Sequence, residues 1–298
     1  MGLNMDENLI YYARSGLVHK VKTLLDEGAD VDCRGQFGNT ALMEAALAGH
    51  TRVVQLLIER GADVNCRSSR HDTPLIAAAR ASHAEVARLL LEGGAEISAR
   101  GHLGLTPLMW AALAGRTRLV RLLLDHGARL DETSEDGATA LSWAADEGHW
   151  QVVQILLERQ ADVGFLDARY GAPILIAACR KGHREVVDLL IEKGADLNGR
   201  DRDGRTALHW AAMEAKPDIV KVLLERGVLL DVQDNNGATA LLWAAFTGRD
   251  DTVRLLLEAG ASAELTDKDG NNPWRVASRL GYEKVIEVLE AHRATNTE

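Results

Sequence analysis

A four-residue segment, most often Thr-x-Leu-x, recurs along the chain at a fixed interval of 33 residues. It begins at Thr40, Thr73, Thr106 and Thr139, with a degenerate first copy at Glu7. The next copy begins 34 residues later, at Pro173, and the interval of 33 then resumes at Thr206, Thr239 and Asn272. A fixed period of this length indicates stacked copies of one supersecondary unit, so nearly the whole chain is expected to form one repeat array. Such an array offers a long surface to partners and no buried cleft by default.

Residue types at fixed places in the period predict two helices per copy. Counting from the Thr, positions +5 and +6 are small in nearly every copy, as in Ala111-Ala112, which lets neighbouring helices approach closely. A Gly at +9, such as Gly115, is expected to end the first helix. A second run with helical spacing of its apolar residues follows, and it ends in a Gly such as Gly194, which accepts left-handed backbone.

This order of turn, helix, tight turn and helix resembles the ankyrin repeat, and the resemblance covers residues 7–291 in nine copies. It implies an all-α solenoid of stacked helix-turn-helix units with β-hairpin loops. In that family the hairpin tips and first helices line a concave groove that binds protein partners. We expect a single domain over 7–291, with its first and last copies as caps, and tails at 1–6 and 292–298. The family's consensus His survives only at His209.

Composition excludes several classes of protein. The chain is 46% hydrophobic and 26% charged, as expected for a soluble fold. It has no run of 18 apolar residues, and its first residues lack the features of a signal peptide, so we expect a monomer that is cytoplasmic, or nuclear, and neither secreted nor membrane-bound. Its three cysteines are expected to be reduced. A net charge of −10 argues against binding to nucleic acid.

Motifs that carry chemistry are absent from the sequence. There is no phosphate-binding GxxxxGK[ST], no GxGxxG, no HExxH and no CxxC. The segment Asp201-x-Asp203-Gly204 resembles the start of a calcium loop but lacks the distal Glu, so it is interpreted as a turn. We therefore expect no enzymatic activity, no cofactor and no metal site.

Tryptophan is the informative deviation from the repeat pattern. Aromatic residues make up only 4% of the chain, yet four of the six Trp residues share position +4 of the first helix: Trp110, Trp143, Trp210 and Trp243. One interpretation is that they recognise a partner in the groove, because Trp is the residue most enriched at binding hot spots. The other is that they fill space between neighbouring helices. Both interpretations stay open.

The sixth copy interrupts this row, because Ala177 stands at +4. The loop that precedes it, from Gln160 to Gly171, is one residue longer than its counterpart in the fifth copy, and it carries Arg169 and Tyr170. The positions predicted to face the groove around this gap hold Asp146, Glu147, Arg180, Lys181, Met213, Glu214 and Phe246. A gap between bulky residues predicts a pocket, and charges beside it would fix the register of a peptide.

From this pattern we expect the partner to be a protein or peptide with an apolar or aromatic anchor. The anchor is predicted to enter above Ala177, between Trp143 and Trp210, with a basic neighbour facing Asp146 or Glu147.

The leading functional hypothesis is a non-enzymatic interaction module that binds a peptide or protein surface in its concave groove. The alternative is a methyl-lysine reader, since some ankyrin domains build a Trp cage at the same +4 phase. The cage pattern also requires a Trp just before the Thr and an acid at +7. Leu105 and Leu113 stand there for the first Trp pair, and Arg205 and Met213 for the second, so neither pair completes it.

Overall fold

The computed structural model describes residues 4–295, and within them the helices form nine consecutive pairs. The helices are α1 Met5–Arg14, α2 Val18–Asp26, α3 Ala41–Ala48, α4 Thr51–Glu59, α5 Pro74–Arg80, α6 Ala84–Glu92, α7 Pro107–Leu113, α8 Thr117–Asp125, α9 Ala140–Asp146, α10 Trp150–Glu158, α11 Ile174–Lys181, α12 Arg184–Glu192, α13 Ala207–Met213, α14 Pro217–Glu225, α15 Ala240–Phe246, α16 Asp250–Glu258, α17 Pro273–Leu280 and α18 Glu283–Thr295. Two short strands, β1 Leu166–Asp167 and β2 Ala172–Pro173, lie between α10 and α11. Single 3₁₀ turns occur at Gln36–Gly38 and His102–Gly104.

The repeated Thr starts the first helix of a copy, as its position predicts. The hydroxyl of Thr106 accepts a hydrogen bond from the backbone N–H of Met109 at 3.3 Å, and Thr239 accepts one from Leu242 at 3.2 Å. Pro107 occupies the first turn, where no backbone donor is needed. Each N-cap satisfies one of the backbone donors that a helix start leaves unpaired.

Left-handed backbone ends the first helix at position +9. Gly115 has φ of 67° and Gly182 has φ of 86°, as the pattern predicts. Ser82 and Ala215 hold the same position with φ of 67° and 51°, so these two copies adopt the turn without glycine and bear its steric cost.

The chain divides into two compact units. Among the described residues, the first comprises 4–144 and 154–161 and the second comprises 145–153 and 162–295. In the first unit, α1, α3, α5 and α7 pack in succession, as do α2, α4, α6 and α8. In the second, α11, α13, α15 and α17 form one layer, and α12, α14, α16 and α18 form the other. Each unit is therefore an all-α solenoid, as the resemblance implied.

The core of each copy comes from the repeated small and apolar positions. In the third copy, Leu75 at +2 and Ala78 and Ala79 at +5 and +6 are fully buried. Val86 and Leu90 of the second helix, which packs against the first, are also buried. Because the alanines are small, successive first helices can lie close together.

The predicted β-hairpin loops form paired strands in one case within residues 4–295. There β1 and β2 pair antiparallel, with Leu166 opposite Pro173 and Asp167 opposite Ala172. Other loops close as tight turns, such as the one in which the N–H of Asp201 donates to the carbonyl of Arg205 at 2.9 Å. Their arms are too short for a ladder, and the longer loop before α11 has room for one.

Helix extends into both predicted tails. Asn4 and Glu7 form a reciprocal capping box, which starts α1 at Met5. At the other end α18 continues to Thr295, so residues 292–295 of the predicted tail are helical. Residues 1–3 and 296–298 lie outside the described residues. No helix within 4–295 has the length and apolar character needed to cross a membrane.

Candidate partner-binding surface

The four tryptophans at +4 lie on first helices and are all half-buried. Trp110 and Trp143 lie on α7 and α9, and Trp210 and Trp243 lie on α13 and α15. Half-burial means that each ring both packs against its neighbours and presents an edge to solvent. The two interpretations of these residues, packing and recognition, are therefore compatible.

In the second unit, arginine side chains lie against the aromatic rings. The guanidinium of Arg205 lies 5.3 Å from the ring centroid of Trp210 and 4.8 Å from that of Trp243. The guanidinium of Arg180 lies 4.5 Å from the ring of Tyr170 and 5.7 Å from that of Trp210. These distances fall in the range of cation–π attraction.

Two further contacts extend this arrangement at its ends. Arg169 lies 5.2 Å from the ring of Tyr170, and Phe246 meets Trp243 edge-on with ring centroids 5.6 Å apart. We call this set the arginine–aromatic row: Arg169, Tyr170, Arg180, Trp210, Arg205, Trp243 and Phe246. From the sequence, Arg205 was named only as a residue that does not complete the Trp-cage pattern, and its position between Trp210 of its own copy and Trp243 of the next was not predicted.

Carboxylates of the preceding turns orient two of the indoles. The Nε1–H of Trp210 donates to Oδ2 of Asp201 at 2.8 Å, and that of Trp243 donates to Oδ2 of Asp234 at 2.9 Å. In both turns the other oxygen of the Asp accepts hydrogen bonds from backbone N–H groups. For example, the N–H groups of Asp203 and Arg205 donate to Oδ1 of Asp201. Asp201, the first residue of the segment that resembles a calcium loop, thus stabilises the turn and orients the indole of Trp210.

Buried carboxylates also pair with the arginines of the row. Arg169 donates to Asp167 from Nη2 at 2.6 Å and from Nε at 3.0 Å. Burial alone would lower the pKa of Arg169, but its hydrogen bonds to Asp167 and the nearby charges outweigh burial and raise it. The Nε of Arg205 lies 3.7 Å from Oδ2 of the buried Asp234. In both pairs the carboxylate is buried more deeply than its arginine.

Asp146 has a different role from the one expected. Its side chain is only 6% exposed, and its Oδ2 accepts a hydrogen bond from Nζ of Lys181 at 3.0 Å. Arg169 and Arg180 lie 4.0 and 3.9 Å from its two oxygens. Burial would lower the pKa of Lys181, but the hydrogen bond and charge of Asp146 raise it overall. Asp146 is thus a structural counter-ion, and a basic group of a partner cannot reach it from the surface.

The remaining candidates are placed as follows. Glu147 is exposed and accepts a hydrogen bond from Lys181 at 3.3 Å, so it too is engaged within the chain. Met213 is half-buried, and Glu214 and Phe246 are exposed. Phe246 belongs to the row through its contact with Trp243.

A cavity of about 140 Å³ lies beside Ala177 in the second unit. Its floor and walls are mainly apolar and aromatic, and its rim is charged. It is lined by Tyr170, Ala172, Ile176, Ala177, Arg180, Asp201, Arg202, Asp203 and Trp210. The prediction that Trp143 contributes to the anchor site concerns the first unit and stays a prediction.

A larger cavity of the second unit, about 1010 Å³, lies near Trp274. It is formed by the turn after α16 and by α18, and it holds none of the residues of the arginine–aromatic row. Size alone does not identify a binding site, and we prefer the cavity at Ala177 because aromatic rings and fixed charges converge there.

No chemistry beyond binding is indicated by the described side chains. Within residues 4–295 no group of His, Cys, Asp or Glu is arranged to hold a metal ion. Cys33, Cys66 and Cys179 are buried, and burial raises the pKa of each thiol. A thiol that stays protonated is a poor nucleophile.

The methyl-lysine alternative stays a prediction, and the structure bears on it only at the pair Trp210 and Trp243. A cage needs open aromatic faces for an ammonium group, and the space between Trp210 and Trp243 already holds the guanidinium of Arg205. On Trp210, Arg180 lies near the ring as well. A second cation would have to displace an arginine that is paired with a buried carboxylate.

Comparison with known proteins gave one family. A family model described as ankyrin repeats (3 copies) matches residues 9–101, 98–167, 160–234 and 212–297. A search of curated proteins gave no match. The matched segments together cover almost the entire chain.

Proposed function

The chain belongs to the ankyrin-repeat family, and from this premise we propose that it is a non-enzymatic interaction module. Members of this family are generally protein–protein interaction modules and typically not enzymes. The module binds a partner peptide or protein surface through its first helices. The binding surface is the arginine–aromatic row together with the cavity at Ala177. The partner supplies an apolar or aromatic anchor side chain.

The cavity at Ala177 is the observation that carries this proposal. Between Trp210 and Trp243 the space is filled by the guanidinium of Arg205. Beside Ala177 the small side chain leaves about 140 Å³ next to Tyr170 and Trp210. A cavity of roughly 150 Å³ holds one benzene ring, so the space suits a single apolar or aromatic side chain.

The basic neighbour expected from the sequence is not part of this proposal. It relied on Asp146 and Glu147 as free acids, and both pair with Lys181 within the chain. An apolar anchor gains its affinity from burial, so it needs no ion pair at these two positions.

The test is to fill the cavity. Replacing Ala177 with Trp restores at +4 the residue that four other copies carry, and Ala177→Leu is a milder filling. Peptides selected from a displayed random library on the parent protein are titrated against both variants. We expect Ala177→Trp to weaken binding at least a hundredfold, about 3 kcal/mol, because the anchor loses its site.

Ala259→Trp is the matched control, since Ala259 is exposed at the end of α16 and lies outside the row. It should bind like the parent, and circular dichroism should show that all three variants remain helical. If Ala177→Trp and Ala177→Leu are folded and bind the selected peptides as tightly as the parent, the cavity is not the anchor site. Recognition would then have to lie on the turn tips.

A further inference from the structure

Arg180 is held in place by aromatic rings rather than by hydrogen bonds. Its guanidinium lies 4.5 Å from the ring of Tyr170 and 5.7 Å from that of Trp210, and it lines the cavity. The nearest carboxylate oxygen, Oδ1 of Asp146, is 3.9 Å away, which is beyond hydrogen-bonding distance. A guanidinium has five N–H donors. Within residues 4–295 no acceptor is hydrogen-bonded to any of those of Arg180.

The other charged groups at the cavity are engaged. Asp201 accepts two backbone N–H groups and the indole N–H of Trp210. Asp203 lies 3.4 Å from Arg205, and Arg202 donates to the carbonyl of Ala168 at 2.9 Å. Arg180 and Arg202 therefore both have donors to spare beside the cavity. Of the two, we take Arg180, because its guanidinium lies against Tyr170 and Trp210 and it is only 27% exposed.

We infer that Arg180 recognises a carboxylate carried by the residue next to the anchor. The ligand is an acidic peptide in which an apolar side chain fills the cavity at Ala177 and an adjacent Glu or Asp meets Arg180. This inference rests on the proposed function, because it assigns the chemistry of the partner at the same site. It reverses the charge that the sequence suggested for the partner.

Fixed geometry makes Arg180 suitable for this role. Stacking against Tyr170 and Trp210 restricts the guanidinium before any ligand arrives, so little side-chain entropy remains to be lost on binding. Charge-assisted hydrogen bonds from arginine to carboxylate are among the stronger polar contacts in proteins. At a partly exposed site one such contact gives about tenfold in affinity.

The competing interpretation is that Arg180 only neutralises Asp146. Asp146 already has the ammonium of Lys181 at 3.0 Å, with Arg169 at 4.0 Å. The two interpretations differ in whether replacing Arg180 removes the preference for a negatively charged ligand, and binding measurements can resolve this.

The experiment uses three short peptides with blocked ends, in which Phe is followed by Glu, Gln or Lys. Binding to the full chain is followed by the NMR shift of the Trp210 indole N–H. We expect the Phe-Glu peptide to bind about tenfold more tightly than Phe-Gln, and Phe-Lys to bind most weakly. In Arg180→Gln the preference for Glu over Gln should disappear, and Arg180→Lys should keep part of it.

Arg184→Gln is the matched control, because Arg184 is an exposed arginine of the same copy that does not line the cavity. It should keep the parent's preference for Glu. A peptide that ends in Phe with a free C-terminal carboxylate forms a further arm. If it binds more tightly than Phe-Glu, the carboxylate recognised is a chain end and the assignment to an acidic side chain is wrong.

The outcomes separate this inference from the proposed function. If the parent binds all three blocked peptides equally and Ala177→Trp abolishes binding, the cavity is an anchor site and the role of Arg180 is wrong. A preference for Glu that survives Arg180→Gln overturns the inference as well. If none of the peptides binds and Ala177→Trp also leaves library-selected peptides unaffected, both fail.

Discussion

At the scale of single residues, the tryptophans are not equivalent. Trp210 has an indole acceptor nine residues earlier, in Asp201, and Trp243 has one at the same spacing in Asp234. The position nine residues before Trp110 is Gly101, and no hydrogen-bond partner lies near the buried Nε1 of Trp110 among residues 4–295. The turn Asp therefore fixes the indoles of the second unit in orientation before a ligand arrives.

Asp201→Asn tests this link. The Oδ1 atom of Asn can still accept the two backbone N–H groups of the turn, but its amide nitrogen cannot accept from the indole of Trp210. We expect the free energy of unfolding to fall by about 1–2 kcal/mol, as for the loss of a hydrogen bond to a charged group. The Trp210 indole N–H should exchange faster with solvent in NMR.

Asp203→Asn serves as the control, because Asp203 lies in the same turn and makes no contact with the indole N–H. Like Asp201→Asn, the Asp203→Asn variant removes one negative charge, but it does so two residues away from Asp201. If the two variants lose the same stability and the exchange of the indole N–H is unchanged in Asp201→Asn, the hydrogen bond does not orient Trp210.

Residue roles could be predicted from the sequence only where the repeat phase determines them. The shared +4 phase placed the four tryptophans on first helices, where the structure has them half-buried. The phase could not reveal that Asp146 is covered by Lys181, or that Arg205 reaches between two rings. Both depend on the reach of long side chains across neighbouring copies, and position within a period carries no information about that reach.

At the scale of secondary-structure elements, glycine signals predicted the helix ends well. Second helices end with Gly in left-handed backbone, for example Gly61 with φ of 85° and Gly194 with φ of 89°. Gln160 follows α10 with φ of 68° and has no such freedom. The longer loop after it was also visible in the sequence. Its paired strands were not specifically predicted, because a few residues carry too little periodicity to distinguish a strand from a turn.

Gln160→Gly should therefore stabilise the protein by about 1 kcal/mol, because it removes the steric cost of a side chain in left-handed backbone. Urea unfolding measures the change. The reciprocal variant Gly194→Gln should cost a similar amount, since a Cβ at Gly194 meets nothing within 4 Å and only the backbone is affected. Peptide binding at the Ala177 cavity should stay at the parent value in both. A loss of binding in Gln160→Gly with no gain in stability would mean that the Gln160 side chain itself contributes to recognition.

At the scale of the whole molecule, charge acts in two directions on an acidic ligand. The chain carries 34 Lys and Arg against 44 Asp and Glu, a net charge of −10, so an acidic peptide is repelled at long range. Close to the cavity, the acidic ligand that we propose would meet the cationic side chain of Arg180, which lines it. The first effect extends over many ångströms in water, and the second acts at contact.

Salt should separate these two effects. Between about 10 and 150 mM ionic strength the Debye length falls from about 30 to 8 Å, which screens the long-range repulsion more than a contact in a partly buried site. We therefore expect the affinity of the Phe-Glu peptide to stay constant within about twofold or to rise, whereas weak binding of the Phe-Lys peptide should decrease, because screening removes its long-range attraction to the acidic chain. Fluorescence titrations over this range with labelled peptides measure both trends. A tenfold loss of Phe-Glu affinity would mean that a broad cationic field, rather than the single contact with Arg180, holds the acidic peptide.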